Sequence, residues 1–336
     1  MPELRYNSIT RDWVIISTER AKRPDQFGHQ AEAEEIIPEH DAHCPFCTGN
    51  ESFSERERFQ ITDGDRWLVR VVANKFPALD EFATNHRKHA GIYNSMQAFG
   101  IHDVIIENPR HNATLTDITH AEMVLVFQAY LRRYKEMKAD PRIESILIFR
   151  NHGKAAGTSL IHPHSQIVGT PVVPHQIRDR MDTAMQFFDA VGECIFCRTL
   201  HEEITDGKRI VFESKHFAAF IPYAALSPFH IWIFPKRHEP SFDSITADEI
   251  ADLATNLQTV LLKLRIGLHN PSYNITIRPI PTHDQNPDYY HWYVAIVPRI
   301  NVAAGFELGS GMYISPAIPE ESAKYLREIT VRPIVV

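Results

Sequence analysis

The sequence has no apolar run approaching the roughly 18–20 residues that a membrane-spanning helix needs. It also has no surplus of positive charge: 35 Lys+Arg stand against 42 Asp+Glu, a formal net charge of −7. That balance argues against a general nucleic-acid binder, though a local basic pocket for phosphate remains compatible with it. The first residues, MPELRYNSITRDWVII, lack the charged-then-apolar pattern of a secretion signal, so the expected compartment is the cytoplasm. Cysteine is scarce, with four in 336 residues, and the four are paired: Cys44-Pro-Phe-Cys47 and Cys194-Ile-Phe-Cys197. In a reducing compartment such pairs are metal half-sites or redox pairs. The βαβ context of a redox pair is missing, and each pair needs two more ligands to close a tetrahedral zinc site.

What is present is ordinary for a soluble globular chain, 43% hydrophobic and 23% charged, and long enough for one large domain or two of common size. Nineteen histidines is a high count. The chemistry concentrates in GKAAGTSLIHPHSQIVGTPVVP, residues 153 to 174. A period-2 reading puts His162, His164 and Gln166 on one face of a strand, between a glycine-rich entry and a proline-rich exit. Three polar groups there read as a site rather than as a half-buried strand with satisfied histidines.

Taken in order, the chain predicts strands over 12–17, 67–72, 102–107 and 143–150. A helix is expected over 117–138, capped by Asp117 or Thr116. After the histidine strand, a helix over about 176–191 leads to the second cysteine pair. Further strands are expected over 212–223, 231–234, 273–278 and 289–298, with a helix over about 246–268. The basic run Arg20-Ala-Lys-Arg23 reads as a solvated turn or a phosphate contact, and 32–39 as an acidic surface loop.

The two halves repeat one order. Half one runs C-x-x-C, strand, N-P-R-His111, helix, strand, His162-Pro-His164. Half two runs C-x-x-C, strand, P-K-R-His238, helix, strand, His291-Trp-Tyr293. The paired histidines lie 51 residues apart in half one and 53 in half two. The duplication supplies the missing ligands: Cys44, Cys47, His111 and His162, then Cys194, Cys197, His238 and His291. Both are Cys₂His₂ sets, suited to Zn²⁺ and closed to catalysis. Their spacing is too long for a DNA-reading zinc finger. The expected division is 1–175 for a catalytic half and 176–336 for a structural half. The expected fold class is α+β, two similar halves of antiparallel sheet carrying helices. Only half one has a second histidine after its metal ligand. A neutral imidazole at His164 is a nucleophile toward phosphorus, and Gln166 can donate its amide to a phosphate oxygen.

These residues resemble the galactose-1-phosphate uridylyltransferase family, the transferase branch of the histidine-triad superfamily. The likeness runs from Arg20-Ala-Lys-Arg-Pro24 through Gly305-Phe-Glu307 and centres on H-P-H-x-Q with C-x-x-C upstream. It implies that His164 takes a nucleoside monophosphate covalently and Gln166 holds the phosphoryl oxygens. It also implies that Arg20, Arg23, Asn151, Gly157 and Ser159 contact phosphates and that Asn74 sits at the ribose or base. It matches Cys44, Cys47, His111 and His162 to the zinc set. It implies a homodimer in which 305–316 lies near the neighbour's site and Glu307 reaches the acceptor. Ser165 stands where many members have Gly, Lys75 where some have Asp, and Asn301 where some have Lys. The second C-x-x-C and the 304–316 tail resemble the plant ADP-glucose phosphorylase subgroup.

The leading expectation is therefore a hexose-1-phosphate uridylyltransferase using UDP-glucose and galactose 1-phosphate. The alternative is adenylyl transfer to inorganic phosphate from ADP-glucose or adenylyl sulfate. A histidine-triad hydrolase is disfavoured because no third histidine follows Gln166. A zinc-stabilised nucleotide-binding or scaffold protein is the non-enzymatic reading. No nucleic-acid or membrane partner is expected.

Overall fold

The structure is a computed structural model that describes residues 1–17, 27, 37–284 and 287–331. Ten strands form its main sheet: β1 (Glu57–Asp63), β2 (Arg66–Ala73), β3 (Ile101–Ile106), β4 (Ser145–His152), β5 (His164–Thr170), β6 (Ile210–Glu213), β7 (Phe217–Phe220), β8 (Ile231–Pro235), β9 (Tyr273–Arg278) and β10 (Tyr293–Pro298). Their order across the sheet is β1-β2-β3-β5-β4-β9-β10-β8-β7-β6. Every neighbouring pair is antiparallel. The second five strands repeat the order of the first five, reversed about the β4–β9 seam. The expected pair of similar antiparallel halves is present, and the two are joined into one continuous sheet. At the seam Asn151 stands opposite Asn274, and His152 opposite Tyr273.

Two long helices, α1 (His120–Lys138) and α4 (Ala247–Gly267), cover one face of this sheet. Met123, Phe127 and Tyr134 of α1 and Leu257, Val260 and Leu264 of α4 pack with Ile105, Ile148, Ile167, Ile231, Ile275 and Ile296 in one core. Strand alternation then sends the intervening residues to the other face. There two smaller apolar clusters form, one around Cys44 and Cys47 and one around Cys194. The second includes residues of α2 (His175–Val191) and α3 (Ile195–Asp206).

Both long helices start with a reciprocal capping box, which satisfies two end donors at once. Thr119 pairs with Glu122, and Thr246 with Glu249. The first helix was expected to begin at Asp117 or Thr116. Asp117 is instead committed to the preceding turn, where its carboxylate accepts from the Thr114 backbone N–H at 3.0 Å and its hydroxyl at 2.6 Å. The single strand expected over 212–223 is two strands. Asp252 of α4 accepts from Ser214 Oγ at 2.7 Å and from the His216 N–H at 2.6 Å, which holds the reversal between them. The sequence reading missed β1, α3, the short helix α5 (Gly305–Ser310) and α6 (Pro319–Glu328). It also missed a three-stranded sheet in which Tyr313–Ser315 lies parallel to Trp13–Ile16. Among the described residues no helix is long and apolar enough to cross a membrane.

One ion pair is sealed inside the helix-covered face. Glu107 is 1% exposed and Arg150 4%. Arg150 Nε donates to both Glu107 oxygens, at 3.1 and 3.0 Å. Tyr130 donates to the same carboxylate at 3.1 Å, and Ser165 Oγ also donates to it. Removing one partner strands the other charge in a low-dielectric interior. Arg150→Met should therefore lower unfolding free energy by about 3–5 kcal/mol, read from the urea midpoint at constant slope.

Candidate active site and metal centres

The first cysteine pair sits on a tight knuckle. Cys47 N–H donates to the Cys44 carbonyl at 3.3 Å, and Asn50 N–H to the Cys47 carbonyl at 3.0 Å. Gly49 carries a φ of +88° in this turn, a conformation costly for other residues. His111 follows β3 and His162 precedes β5, and both reach the knuckle. All four ligating atoms of Cys44, Cys47, His111 and His162 lie within 4.8 Å of one another, on buried residues. Cys47 Sγ is 3.4 Å from His111 Nδ1 and 3.6 Å from His162 Nδ1. Tetrahedral zinc, with bonds of about 2.3 Å to sulfur and 2.0–2.1 Å to nitrogen, places such atoms about 3.6 Å apart. A thiol has one proton and cannot serve two imidazoles. His162 Nε2–H donates to the Asn108 carbonyl at 2.8 Å, which leaves Nδ1 with its lone pair toward the cysteines. In the metal-free set, burial pushes the Cys44 thiol up to about 11 and His162 down to about 4. Metal capture must then displace thiol protons and will be favoured by rising pH.

The second set repeats this arrangement in three of its four expected residues, and His291 stands beside Cys197 without joining the mutually close group. Cys194, Cys197 and His238 hold ligating atoms within 4.8 Å of one another. Cys197 Sγ lies 3.1 Å from His238 Nδ1 and 3.3 Å from His291 Nδ1. The histidine pairs meet edge to face in both sets, at 5.4 Å between His111 and His162 and at 5.6 Å between His238 and His291. The donor chemistry of both sets fits a structural zinc ion, whose contribution would be to cross-link the loops that carry the ligands.

His162 was expected on the catalytic strand. It stands before it, because β5 begins at His164. Pro163 between them has no N–H for the sheet, which frees His162 to turn toward Cys47. His164 and Gln166 do share a face, with Ser165 and Ile167 buried on the other. His164 is 8% exposed. Its Nδ1–H donates to the His162 carbonyl at 2.9 Å, so Nε2 holds the lone pair. Phe46 packs against the ring at 5.7 Å. Burial, aided by the Arg150 charge, lowers its pKa below the ordinary imidazole value, although the His162 carbonyl and Glu107 act to raise it.

Gln166 is oriented by a residue the sequence reading placed only in a strand. His102 Nδ1 accepts from the Ala78 N–H at 3.2 Å. Its Nε2 therefore carries the proton and donates to Gln166 Oε1 at 2.8 Å. That leaves the Gln166 NH₂ free as a donor. Asn74 Nδ2 sits 3.0 Å from the same imidazole nitrogen, so Asn74, His102 and Gln166 form one cluster. Asn74 Oδ1 accepts from the Phe76 N–H at 2.9 Å. Nothing in the alternation of His102-Asp-Val-Ile-Ile singles out this histidine before the Gln166 contact is seen.

Asn151 lies on the seam, where its Oδ1 accepts from Asn274 Nδ2 at 2.8 Å. Gly157, with φ +87°, closes a 3₁₀ turn over Lys154–Ala156, and both Gly157 and Ser159 are exposed. At the turn's start, a Cβ on Gly153 would meet Ser272 Oγ at 2.2 Å, so a bare backbone is required there. Glu307 lies on α5, lines a cleft of the second half, and accepts from the Ala304 N–H at 2.9 Å. Arg20 and Arg23 lie outside the described residues.

The two Cys/His sets predict about two metal ions per chain by elemental analysis. His162→Asn should reduce this toward one and lower the thermal midpoint, because the loops lose their cross-link. His164→Asn should leave the metal content unchanged.

Family comparisons agree with this arrangement. Residues 1–174 match the model of the galactose-1-phosphate uridyl transferase N-terminal domain, and residues 204–300 match that of the HIT domain. An ADP-glucose phosphorylase of Arabidopsis thaliana is 36% identical, over 98% of this chain and 93% of its own. A galactose-1-phosphate uridylyltransferase of Thermotoga maritima is 27% identical, over 98% of this chain and 99% of its own. The crystal structure of an Arabidopsis thaliana ADP-glucose phosphorylase with bound ADP-glucose superposes with a TM-score of 0.85 at 33% identity, covering 99% of this chain and 100% of that one. With matches of this extent, and with the H-P-H-S-Q strand beside a Cys/His set, the chain belongs to the galactose-1-phosphate uridylyltransferase family.

Proposed function

We propose that the chain moves a nucleoside monophosphate by two displacements through His164, with residues 1–175 as the catalytic half and 176–336 as its structural counterpart. The observation that carries this reading is the lone pair left at His164 Nε2, fixed by the Nδ1–H bond to the His162 carbonyl. Nε2 attacks the α-phosphorus of a nucleoside diphosphate sugar, and the bond to the leaving sugar 1-phosphate breaks. The imidazole becomes positively charged as the P–N bond forms. The His162 carbonyl accepts from Nδ1–H throughout and stabilises that charge. The Gln166 NH₂, held outward by His102, meets a phosphoryl oxygen. A phosphate oxygen of the acceptor then attacks phosphorus, the P–N bond breaks, and neutral His164 is restored. Asn151, Gly157, Ser159, Arg20 and Arg23 act on the phosphates in this reading, and Asn74 on the nucleoside.

For the donor and acceptor, ADP-glucose with inorganic phosphate is the reading we favour. Its support is the 36% identity to an ADP-glucose phosphorylase, against 27% to a uridylyltransferase over the same share of this chain. Glucose 1-phosphate would leave, and inorganic phosphate would collect AMP as ADP. UDP-glucose with galactose 1-phosphate is the second reading, favoured by the family model over 1–174. Both use the same His164 chemistry. A homodimer in the cytoplasm belongs to the same proposal. Val302, Phe306 and Leu308 on and beside α5 are 85%, 48% and 79% exposed, an apolar surface that a second copy would cover. Glu307 beside them would meet the acceptor of the neighbour.

The test is a labelled-donor panel of ADP-glucose, UDP-glucose and adenylyl sulfate without acceptor. Label should stay on the protein as an acid-labile, base-stable phosphoramidate, and His164→Asn should abolish it. Absence of label with sequential kinetics would exclude the covalent route. Gln166→Ala should slow both half-reactions by about 10²-fold, the usual cost of one charge-stabilising donor. The labelling rate should stay level as pH falls through the ordinary imidazole value of about 6.5. It should drop only below that, where the depressed pKa of His164 lets Nε2 protonate. A half-drop at or above 6.5 would contradict the neutral, buried nucleophile.

A further inference from the structure

The repeat in the sheet identifies what stands in the second half at each position of the first. Aligning His162 with His291 places Tyr293 at the position of His164 and Ala295 at that of Gln166. Gln166 is opposite Val104 on β3, and Ala295 opposite Trp232 on β8. Two residues earlier on those segments come His102 and His230. On the other side, Gln166 is opposite Phe149 and Ala295 opposite Thr276. Two residues later come Asn151 and Arg278. The second half has thus lost the nucleophile and the amide, kept the histidine, and gained a cation.

These positions are not filled in. A cleft of about 590 Å³ opens there, with Arg180, Ser227, His230 and Arg278 among its walls. Its size suits a small ligand. His230 is 5% exposed, and its Nε2 accepts from the Trp232 indole N–H at 3.1 Å. An indole nitrogen can only donate, so Nδ1 carries the imidazole proton, and this N–H has no partner in the structure. An unpaired buried donor at a cleft wall calls for an acceptor.

The two arginines make the same demand. Arg278 Nε donates to Thr276 Oγ1 at 3.1 Å and its guanidinium lies over the Tyr293 ring at 5.8 Å. Arg180 Nη1 donates to the Gln176 carbonyl at 3.0 Å, and its buried Nε has no partner. Among the described residues neither arginine has a carboxylate within 4 Å. The cleft's own acids are engaged elsewhere in two cases: Asp179 with His175 at 3.1 Å and Glu307 with the Ala304 N–H at 2.9 Å. Burial above all, with a smaller push from the neighbouring Arg180 charge, holds Arg278 below the usual guanidinium range, although Tyr293 and Tyr290 act to raise it.

We propose that this second-half cleft is a non-covalent site for a phosphate-bearing small molecule, gripped by Arg278, Arg180 and the His230 N–H. Tyr293 cannot form the phosphorus–nitrogen bond that His164 can, so a ligand there is held and released unchanged. Ala155 of the glycine loop also lines the cleft. The inference does not depend on which nucleotide the catalytic half uses.

The test is calorimetric titration of the metal-loaded full chain carrying His164→Asn and Gln166→Ala, with inorganic phosphate and then with glucose 1-phosphate. One saturable site per chain should remain. Adding Arg278→Met should weaken it at least tenfold, and adding Arg180→Met, at a partly exposed position, should weaken it severalfold. Circular dichroism and metal content identify any variant that has failed to fold, and the other arginine variant then decides. Tighter binding of glucose 1-phosphate would identify a sugar phosphate as the ligand, and equal binding the free anion. Loss of all binding in the His164→Asn, Gln166→Ala chain would overturn the proposal. So would a retained site indifferent to both arginine substitutions.

Discussion

The hydrogen bond from His164 to the carbonyl of His162 ties the first Cys/His set to the proposed nucleophile. His162 has its Nδ1 toward Cys47 and its Nε2 on the Asn108 carbonyl, so its ring has no freedom. Its carbonyl is consequently fixed, and that carbonyl decides which nitrogen of His164 keeps the proton. Pro163 between them is held by its own carbonyl, which accepts from the Glu107 N–H at 3.1 Å. Glu107 is in turn locked by Arg150 on the helix side of the sheet. Three consecutive residues are thus pinned from both faces. A closed metal set matters here through geometry, since it offers no open position for substrate.

The continuous sheet makes the halves one folding problem. The β4–β9 seam runs through residues that border the site: Asn151 pairs with Asn274, and Asn274 also donates to the Ala156 carbonyl of the glycine loop at 2.9 Å. The loop of one half therefore rests on a strand of the other. The α1 and α4 helices lie over this seam and share one apolar core with strands of both halves. A change at Asn274 in the second half can reach the glycine loop of the first through two hydrogen bonds.

Patterns that depend on near neighbours were legible in the sequence. The first Cys/His set, three residues of the second, the His164–Gln166 face and the long helices are brought together where spacing and periodicity imply. What was hidden depends on partners far along the chain. His102 meets Gln166 across 64 residues, and Glu107 meets Arg150 across 43. The split at Ser214–His216 is held by Asp252, a residue inside a later helix. His162 leaves the strand because a metal set claims it, which overrides its period-2 position. The single continuous sheet was illegible for the same reason. Two alternating strands, β4 and β9, look alike whether each ends a sheet or the two join.

The asymmetry between the halves has a physical logic. A duplicated unit whose fold rests on a Cys/His set and a shared core does not need an imidazole at the His164 position to stay folded. Tyr293 in place of His164 packs with Phe196, Trp232 and Phe234, so the substitution adds apolar contact where the first half keeps a reactive imidazole. Ala295 in place of Gln166 removes the group that His102's counterpart would orient. His230 is left with a proton and nothing to give it to, and Arg278 adds charge on the opposite wall. Apolar replacement of the nucleophile with retention of buried donors is not what simple decay into a structural half would leave. An unpaired buried donor and a buried cation without a carboxylate partner each cost stability unless an acceptor or an anion meets them. Their meeting in one open cleft fits the anion site proposed above.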